Sequence, residues 1–302
     1  MTVRITQGMT TADVLASIEA ISARLAATQN VLATGKQINS PSDNPYGTAR
    51  ALDLRADLAQ TKQYETNVGE AQSWLTVTDT ALGNIGDLVN RARTLVVQAA
   101  NGSLGQSDLD NIKSELLQII ESVKTEANAQ YAGRYVFAGT ATTTQPYLTG
   151  GPPYDDTYHG DTNAVTRAIG PGVTLQVNTV GQSVLGDGTT GLLKTLRDVV
   201  ADLTAGNTSA LQSTDLQNLD AANDTLLNER AKVGAASNRL DSASNRLSQL
   251  EQVSTSQLSN TEDADMAKTM IDLSQEQAVY QAALRAGANL LQPSLMDFLA
   301  TG

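Results

Sequence analysis

Cysteine is absent from this sequence of 302 residues, and histidine occurs only once, at His159. The lack of thiols excludes disulfide bonds, cysteine nucleophiles and metal sites with thiolate ligands. A single imidazole also excludes metal sites built from several histidines, such as the zinc site of an H-E-x-x-H helix. We therefore expect no resident metal and no cofactor.

Aromatic and charged residues are both scarce, at 4% and 17% of the chain, although hydrophobic residues reach 40%. Aliphatic and small side chains make up the apolar share, and these suit long helices packed side by side better than the core of a compact enzyme. The net charge is −12. A polyanion without a run of lysine and arginine does not favour nucleic acid or an anionic membrane surface, so we expect neither as a partner.

Long hydrophobic runs are missing as well. The first residues, Met1–Gly8, contain neither the apolar core of a signal peptide nor a cleavage motif. No stretch of the chain reaches the length of a membrane span. Two expectations stay open from these observations: the chain is cytoplasmic, or it is exported without a cleaved signal peptide.

Apolar residues recur at helical spacing near both ends of the chain. In the first predicted helix, at about 10–34, and in the last, after 265, they are separated alternately by four and three residues, as in a coiled-coil seam. We predict that the two ends pair as a two-helix coiled coil that becomes fully ordered on assembly. The residues predicted to form this assembly interface are Val14, Ile18, Ile21, Leu25, Leu32, Met266, Met270, Leu273, Tyr280, Leu284 and Leu291.

A helix-breaking segment follows the first predicted helix. It contains Asn39, Pro41, Asp43, Asn44 and Pro45, and two prolines among Asx residues leave no room for a continuous helix. Pro45 suits the first position of the next helix, and Asn44 suits its cap. We predict a hinge here. The helix that follows would be roughly 80 Å long if it continued to about residue 100, so it would have to lie along a partner.

The middle of the chain, from 134 to about 191, has a different character, because Gly, Pro, Thr and Tyr cluster there and short β-type runs at 134–137 and 173–177 alternate with turn signals. Helix is predicted to resume at 192, to break at 205–207 and to continue to near Leu258. The acidic residues at 262–265 are expected to stabilise the start of the last helix. The sequence predicts a mainly α fold with a small β insertion: a long helical bundle or coiled coil made of both chain ends, and a β-rich outer domain. The predicted parts are terminal coiled-coil arms at 1–40 plus 262–302, a helical bundle domain at 41–139 plus 191–261, and the outer domain at 140–190.

One polar cluster lies in the β insertion and comprises Asp155, Asp156, His159 and Asp161. A histidine beside aspartates is able to act as a general acid or base. The cluster lies among turn residues, however, and no nucleophile motif accompanies it. We therefore predict exposed turn residues here, no catalytic residue and no enzyme activity.

Several segments resemble the flagellin superfamily. The first is Thr-Gly-Lys-Gln-Ile-Asn-Ser-Pro-Ser-Asp-Asn-Pro at 34–45, between a short terminal helix and a very long one. Its Ser-Pro-Ser-Asp-Asn-Pro form is more similar to the hook–filament junction members of the superfamily than to filament flagellins. The other segments are Tyr-Ala-Gly-Arg-Tyr-Val-Phe-Ala-Gly at 131–139, Tyr-His-Gly-Asp at 158–161, Glu-Asp-Ala-Asp-Met-Ala at 262–267 and Gln-Pro-Ser-Leu-Met-Asp-Phe-Leu at 292–299.

The resemblance implies a structural role in the bacterial flagellum. Junction members form a short ring of copies between hook and filament. The implied partners are therefore other copies of this chain, the neighbouring hook-associated protein on the hook side, flagellin on the filament side, and an export chaperone. The resemblance also implies an extracellular location that is reached by type III export without a cleaved signal peptide.

Three other hypotheses stay open at this point. A filament flagellin would share the same architecture but would polymerise indefinitely. A secreted enzyme with a site around His159 would place its chemistry in the β insertion. An unrelated cytoplasmic coiled-coil scaffold would explain the apolar seams but not the matching segments at both ends of the chain.

Overall fold

The computed structural model describes residues 7–101, 104–150 and 154–291, and most of these residues are helical. The prediction of a mainly α fold with a small amount of β structure is confirmed. In chain order the elements are α1 (Gln7–Thr34), α2 (Pro45–Ala99), α3 (Gln106–Ala127), β1 (Gln130–Tyr131), β2 (Arg134–Tyr135), β3 (Thr166–Gly170), β4 (Val173–Gln176), α4 (Gly181–Leu185), α5 (Gly191–Ala205), α6 (Thr208–Ala210), a π-helical turn (Leu211–Asp215), α7 (Leu216–Glu262) and α8 (Met266–Leu291).

The chain divides into two compact units. The first unit combines Met1–Ala59 with Glu251–Gly302, and the second unit is Gln60–Leu250. The helices α2 and α7 each contribute residues to both units. The predicted three-part division into arms, bundle and outer domain stays a prediction.

The end of α1 and the start of α2 follow from local chemistry. Gly35 ends α1 with a φ of +70°, and its N–H donates to Val31 O at 2.8 Å, as a left-handed glycine at a helix C-terminus does. Pro45 begins α2, and Asn44 Oδ1 caps it by accepting a hydrogen bond from Gly47 N–H at 2.9 Å. Both predicted boundaries are confirmed.

Two helices extend further than the sequence predicted. α1 already runs from Gln7, ahead of the expected start near residue 10, and α7 continues to Glu262, past the expected end near Leu258. Asp265 caps the next helix, because its Oδ1 accepts hydrogen bonds from the N–H groups of Ala267 at 3.0 Å and Lys268 at 3.1 Å. The predicted stabilisation of the start of α8 by acidic residues therefore rests on Asp265.

The second unit is built on one hydrophobic core, to which α2, α3, α5 and α7 each turn an apolar face. Residues such as Leu82, Ile120, Leu196 and Leu240 are fully buried there. The predicted β insertion contributes to the same core, and its members Tyr147, Ile169, Leu175 and Val177 are all buried. Within the described residues, no helix has both the length and the apolar character that crossing a bilayer requires.

Two antiparallel hairpins form the sheet structure of the described residues. β1 pairs with β2, and the turn between them places Ala132 and Gly133 at positive φ, as a two-residue hairpin turn requires. β3 pairs with β4, with an irregularity between Ala168 and Gly170. The predicted β-type runs at 134–137 and 173–177 therefore contain strands, each of which ends earlier than expected.

The π-helical turn before α7 buries an acid. Asp215 is 2% exposed, and among the described residues its Oδ2 has no hydrogen-bond partner. Burial first, and then the negative charges of Asp202 and Asp198 on α5, together raise the pKa of Asp215 to about 6.

We expect Asp215→Asn to stabilise the second unit at neutral pH. The folded pKa lies above the ordinary value of 3.8, so the contribution of the protonated acid is fully present below pH 4 and is lost as the pH rises through about 6. An asparagine cannot ionise, and the free energy of unfolding at pH 7.5 should therefore rise by about 1–3 kcal/mol. Thermal unfolding at pH 7.5 and pH 4 measures this difference.

The control for this measurement is Asp224→Asn, which changes an exposed acid of α7. It should leave the stability nearly unchanged at both pH values. A stabilisation by Asp215→Asn that was equal at pH 4 and pH 7.5 would contradict the assignment to ionisation.

Candidate assembly site

The first unit pairs the two ends of the chain as antiparallel helices. α1 packs against α8. We call the end of the pair at which α1 finishes and α8 begins the closed end, and there an isolated antiparallel β-bridge pairs the backbones of Lys36 and Asp263. Near the other end, a Cβ added to Gly287 would lie 3.3 Å from Ile18 Cδ1 and 3.4 Å from Val14 Cγ1. The predicted pairing of the two chain ends is therefore observed, and glycine permits its closest approach.

The burial patterns of α1 and α8 share one register. On α1 the half-buried positions include Val14, Ile18, Ile21, Leu25, Thr28 and Leu32. On α8 the buried or half-buried positions include Thr269, Leu273, Glu276, Tyr280, Ala283 and Gly287. Both series alternate by four and three residues. When α1 is counted forward from Val14 and α8 is counted backward from Gly287, each of these α1 positions has an α8 position at the same spacing, and each such pair is one layer of the seam. An antiparallel seam requires this match.

The face that α8 turns toward α1 differs from the predicted one. Leu273 and Tyr280 are half-buried as expected, whereas three other predicted seam residues are exposed. The period of four and three fits two adjacent faces of one helix, and α8 turns inward the face that contains Thr269, Ala283 and Gly287. The exposed residues are Met266 at 41%, Met270 at 60% and Leu284 at 44%.

We call the three exposed side chains Met266, Met270 and Leu284 the exposed apolar edge of α8. They lie within about 40° of one another around the helix axis at the usual helical rotation per residue. Leu15 on α1 is also exposed, at 57%. The side chain of Leu291 and the segment 292–299 lie outside the described residues. The role of all predicted seam residues as an assembly interface stays a prediction.

The loop between α1 and α2 is a hydrogen-bonded turn. The carboxylate of Asp43 accepts hydrogen bonds from the backbone N–H groups of Ser40 at 2.7 Å and Asn39 at 2.9 Å. These hydrogen bonds, that of Ser40 first, lower the pKa of Asp43. The predicted hinge at Asn39, Pro41, Asp43, Asn44 and Pro45 therefore has a specific folded conformation, and its function as a hinge stays a prediction.

Glu262, at the end of α7, forms ion pairs with two other segments of the first unit. Its Oε1 lies 2.6 Å from Lys36 Nζ, in the loop after α1, and its Oε2 pairs with Arg55 of α2. Glu262 is 5% exposed, whereas the side chains of Lys36 and Arg55 are 40% and 47% exposed. We call these three residues the ionic clasp.

Backbone hydrogen bonds accompany the ionic clasp. Gln37 N–H donates to Glu262 O at 2.8 Å, and Ala264 N–H donates to Gly35 O at 2.9 Å. The segment that follows α1 is therefore hydrogen-bonded to the segment that precedes α8. Sequence reasoning did not identify the clasp, because its members are far apart in the chain and no spacing rule connects them.

The predicted exposure of the polar cluster holds for His159 but is wrong for Asp156, whose side chain is 12% exposed and pairs with Lys124 and Arg197. His159 Nε2 lies 3.2 Å from Asp155 Oδ2 at an exposed position. Asp161 instead binds the hydroxyl and N–H of Thr140, and these bonds, the hydroxyl first, lower the pKa of Asp161 to about 2. The described residues contain no group of three or more acids or histidines that could hold a metal ion.

One nucleotide-loop spacing, G-x-G-x-x-G at 186–191, does occur in the sequence and precedes α5. It follows the short helix α4 and not a strand of a parallel sheet, so the dinucleotide-binding context is missing. The carboxylate of Asp187 already accepts hydrogen bonds from the N–H groups of Thr189 at 2.9 Å and Thr190 at 3.0 Å. The loop therefore binds its own acid where a phosphate would otherwise bind.

The helical regions at both ends of the chain match known family models. The model for the bacterial flagellin N-terminal helical region matches residues 5–142, and the model for the C-terminal helical region matches residues 216–299. The chain belongs to the flagellin family.

Curated relatives of this flagellin-family chain include both flagellar hook-associated proteins and flagellins. Flagellar hook-associated protein 3 of Escherichia coli is 23% identical over 289 residues, which cover 88% of this chain and 90% of the relative. Flagellin FlaB2 of Treponema pallidum is 26% identical over 273 residues, which cover 89% and 90%. Flagellar hook-associated protein 3 of Salmonella typhimurium is 28% identical over 156 residues, and this match spans 51% of the chain but only 47% of that relative.

Solved structures share the fold of this flagellin-family chain. A flagellar hook-associated protein from Vibrio parahaemolyticus superimposes with a TM-score of 0.64 at 24% identity, over 72% of this chain and 100% of that one. The flagellar junction protein FlgL from Legionella pneumophila superimposes with a TM-score of 0.58 at 15% identity, over 70% and 99%. At these identities the likeness concerns the fold.

Proposed function

We propose that this flagellin-family protein is a structural adaptor that joins the hook to the filament of the bacterial flagellum. Its partners in this proposal are other copies of itself in a ring, a hook-associated protein on the hook side, flagellin on the filament side, and an export chaperone. The location is extracellular, after export without a cleaved signal peptide, and no catalytic step is involved.

The observation that supports this proposal most directly is the exposed apolar edge of α8. Its members Met266, Met270 and Leu284 are large apolar side chains that the pairing of α1 with α8 leaves uncovered. Large apolar residues that are exposed along one side of a helix are typical of surfaces that bind another protein. In an assembled ring, the terminal helices of a neighbouring copy would cover this edge.

Two further observations favour the junction over the filament. The likeness in fold to a chain described as a flagellar junction protein extends over 99% of that chain. The Ser-Pro-Ser-Asp-Asn-Pro segment, at 40–45, resembles junction members more than filament flagellins. We retain the three-part division into arms, helical bundle and outer domain as part of the proposal.

The experiment that tests the role is a clean deletion in the source bacterium, with electron microscopy of the cell surface and an assay for flagellin in the medium. Hooks without filaments, with unpolymerised flagellin in the medium, are the expected result. Hooks without filaments and without free flagellin would identify the chain as the filament subunit. Normal filaments would overturn the proposal.

A filament flagellin is the second candidate, and the similarity to FlaB2 over 89% of the chain favours it. A filament subunit polymerises without a fixed limit, whereas an adaptor stops at a ring. Purified protein that formed long tubes without other components would therefore favour the filament role.

Charged substitutions in the exposed apolar edge test the proposed interface. We expect Met270→Asp with Leu284→Asp to leave the α1–α8 pair folded, because both side chains are exposed in the single chain, but to abolish filament attachment in a complemented deletion strain. Swarming and electron microscopy measure attachment, and circular dichroism of the purified variant measures helix content.

The control is Ala278→Asp with Ala282→Asp, which changes exposed residues on another side of α8. This pair should retain attachment. An equal loss in the control pair would show that the apolar edge has no special role in assembly.

A further inference from the structure

The seam between α1 and α8 specifies its own alignment weakly. Its α1 positions are only half-buried, and its α8 series contains the polar residues Thr269 and Glu276. Among the described residues, the buried Oε2 of Glu276 has no hydrogen-bond partner. Apolar residues recur at the same period along both helices, so a slip by one turn, about 5.4 Å, would still bring apolar residues together.

We propose that the ionic clasp of Lys36, Arg55 and Glu262 fixes the register in which α1 pairs with α8. The clasp lies at the closed end of the pair, next to the Lys36–Asp263 bridge. Fixing this end determines which residues meet in every later layer. The proposal concerns the chain alone and holds for a junction adaptor and for a filament subunit alike.

The geometry of the ionic clasp favours one register of α1 against α8 over the slipped registers. One carboxylate uses both oxygens, one for a cation after α1 and the other for a cation on α2. A slip of α1 by one turn would move Lys36 by more than the length of a hydrogen bond and would leave the buried carboxylate of Glu262 without that partner. Every slipped register therefore loses an interaction that the seam itself cannot replace.

The burial of the clasp indicates a role in specificity more than in stability. A buried ion pair commonly contributes little net stability relative to apolar residues of the same volume, and fixing a register is its best-supported use. Lys36 and Arg55 are both partly exposed, so water can solvate them when the carboxylate is removed. Neutralising Glu262 should therefore change the register without unfolding the helices.

The absence of cysteine allows the register to be read by disulfide cross-linking of the full chain. Val14→Cys with Gly287→Cys reports the native register, because a Cβ at Gly287 lies 3.4 Å from Val14 Cγ1. Two other pairs report slips of about one turn in opposite directions: Val14→Cys with Ala283→Cys, and Ile21→Cys with Ala283→Cys. Mild oxidation followed by non-reducing electrophoresis gives the yield of each cross-link.

In the parent protein we expect the native cross-link to dominate. Glu262→Gln should lower the ratio of native to slipped cross-links about tenfold, which corresponds to roughly 1.4 kcal/mol, while circular dichroism shows the same helix content. The matched control is Glu276→Gln, which neutralises a glutamate of the same helix pair outside the clasp. This control should keep the parent ratio.

A second variant keeps the proposal testable if Glu262→Gln destabilises the helices. Lys36→Met, Arg55→Met and Glu262→Leu together fill the clasp with apolar side chains and should restore stability but not the native register. A parent-like ratio in this triple variant or in Glu262→Gln would overturn the proposal. Loss of every cross-link in both would also overturn it, because the clasp would then be needed for pairing itself.

Discussion

The double variant Ile18→Asp, Ile21→Asp is expected to abolish assembly while the second unit stays folded. Both residues are half-buried in the seam between α1 and α8, and Ile18 contacts the position of Gly287. A carboxylate placed there must be desolvated without a partner, at a cost of several kcal/mol. The α1 side of the seam is only half-buried, so the apolar burial that holds the two helices together is small and does not offset this cost.

The measurement has two parts. Electron microscopy of a complemented deletion strain should show hooks without filaments, and thermal unfolding of the purified variant should show the transition of the second unit at its parent temperature. Ala16→Asp with Ala23→Asp, at exposed positions of α1, is the matched control and should retain filaments. Normal assembly by the Ile18, Ile21 variant would refute the role of the paired helices.

The second large effect is expected from Asp156→Ala. Asp156 joins the β segment to two helices, since its Oδ1 lies 2.6 Å from Lys124 Nζ and its Oδ2 lies 2.6 Å from Arg197 Nε. Burial raises the pKa of Asp156, but the hydrogen bonds and charges of Arg197 and Lys124 outweigh burial, and the net shift is downward. The carboxylate is therefore bound in its ionised form.

Removing this carboxylate leaves a buried cation without its strongest partner. The side chain of Lys124 is 0% exposed, and among the described residues it would retain the carbonyl of Asp155 at 2.8 Å and Glu121 at 3.5 Å. We expect a loss of about 3 kcal/mol in the free energy of unfolding and a fall of about 10 °C in the Tm of the second unit. Thermal and urea unfolding measure these changes.

The neighbouring residue provides the matched control. Asp155 differs from Asp156 by one position in the chain, but its side chain is 39% exposed, and its contacts are with His159 and with the N–H of Thr157 and not with a buried cation. Asp155→Ala should change the free energy of unfolding by less than about 1 kcal/mol. A similar loss for both variants would show that the ion pairs with Lys124 and Arg197 are not the cause.

Local chemistry made several features of the fold predictable from the sequence. Gly35 ends α1 because it adopts a positive φ, and Pro45 begins α2 because its fixed φ and missing N–H suit a first helical position. Each of these effects involves residues that are close in the chain. The same reasoning gave the helix break at 205–207, where Gly206 has a φ of +66°.

The inward face of α8 was predicted only in part. Met270 and Thr269 are adjacent in the chain, and the apolar period alone predicts that Met270 is the one that faces α1. The structure turns Thr269 inward and leaves Met270 exposed, because the rotation of a helix about its axis depends on the shape of the helix packed against it. A period read from one sequence contains no information about that neighbouring surface.

The sequence by itself determined the helical character of the chain, the pairing of its two ends and the absence of thiol chemistry. These depend on composition, on periodicity and on residues a few positions apart. Only the tertiary structure decided that Glu262 meets Lys36 and Arg55, and that Asp156 neutralises the buried Lys124. Such ion pairs join residues far apart in the chain, and their strength depends on burial, which exists only once the helices have packed.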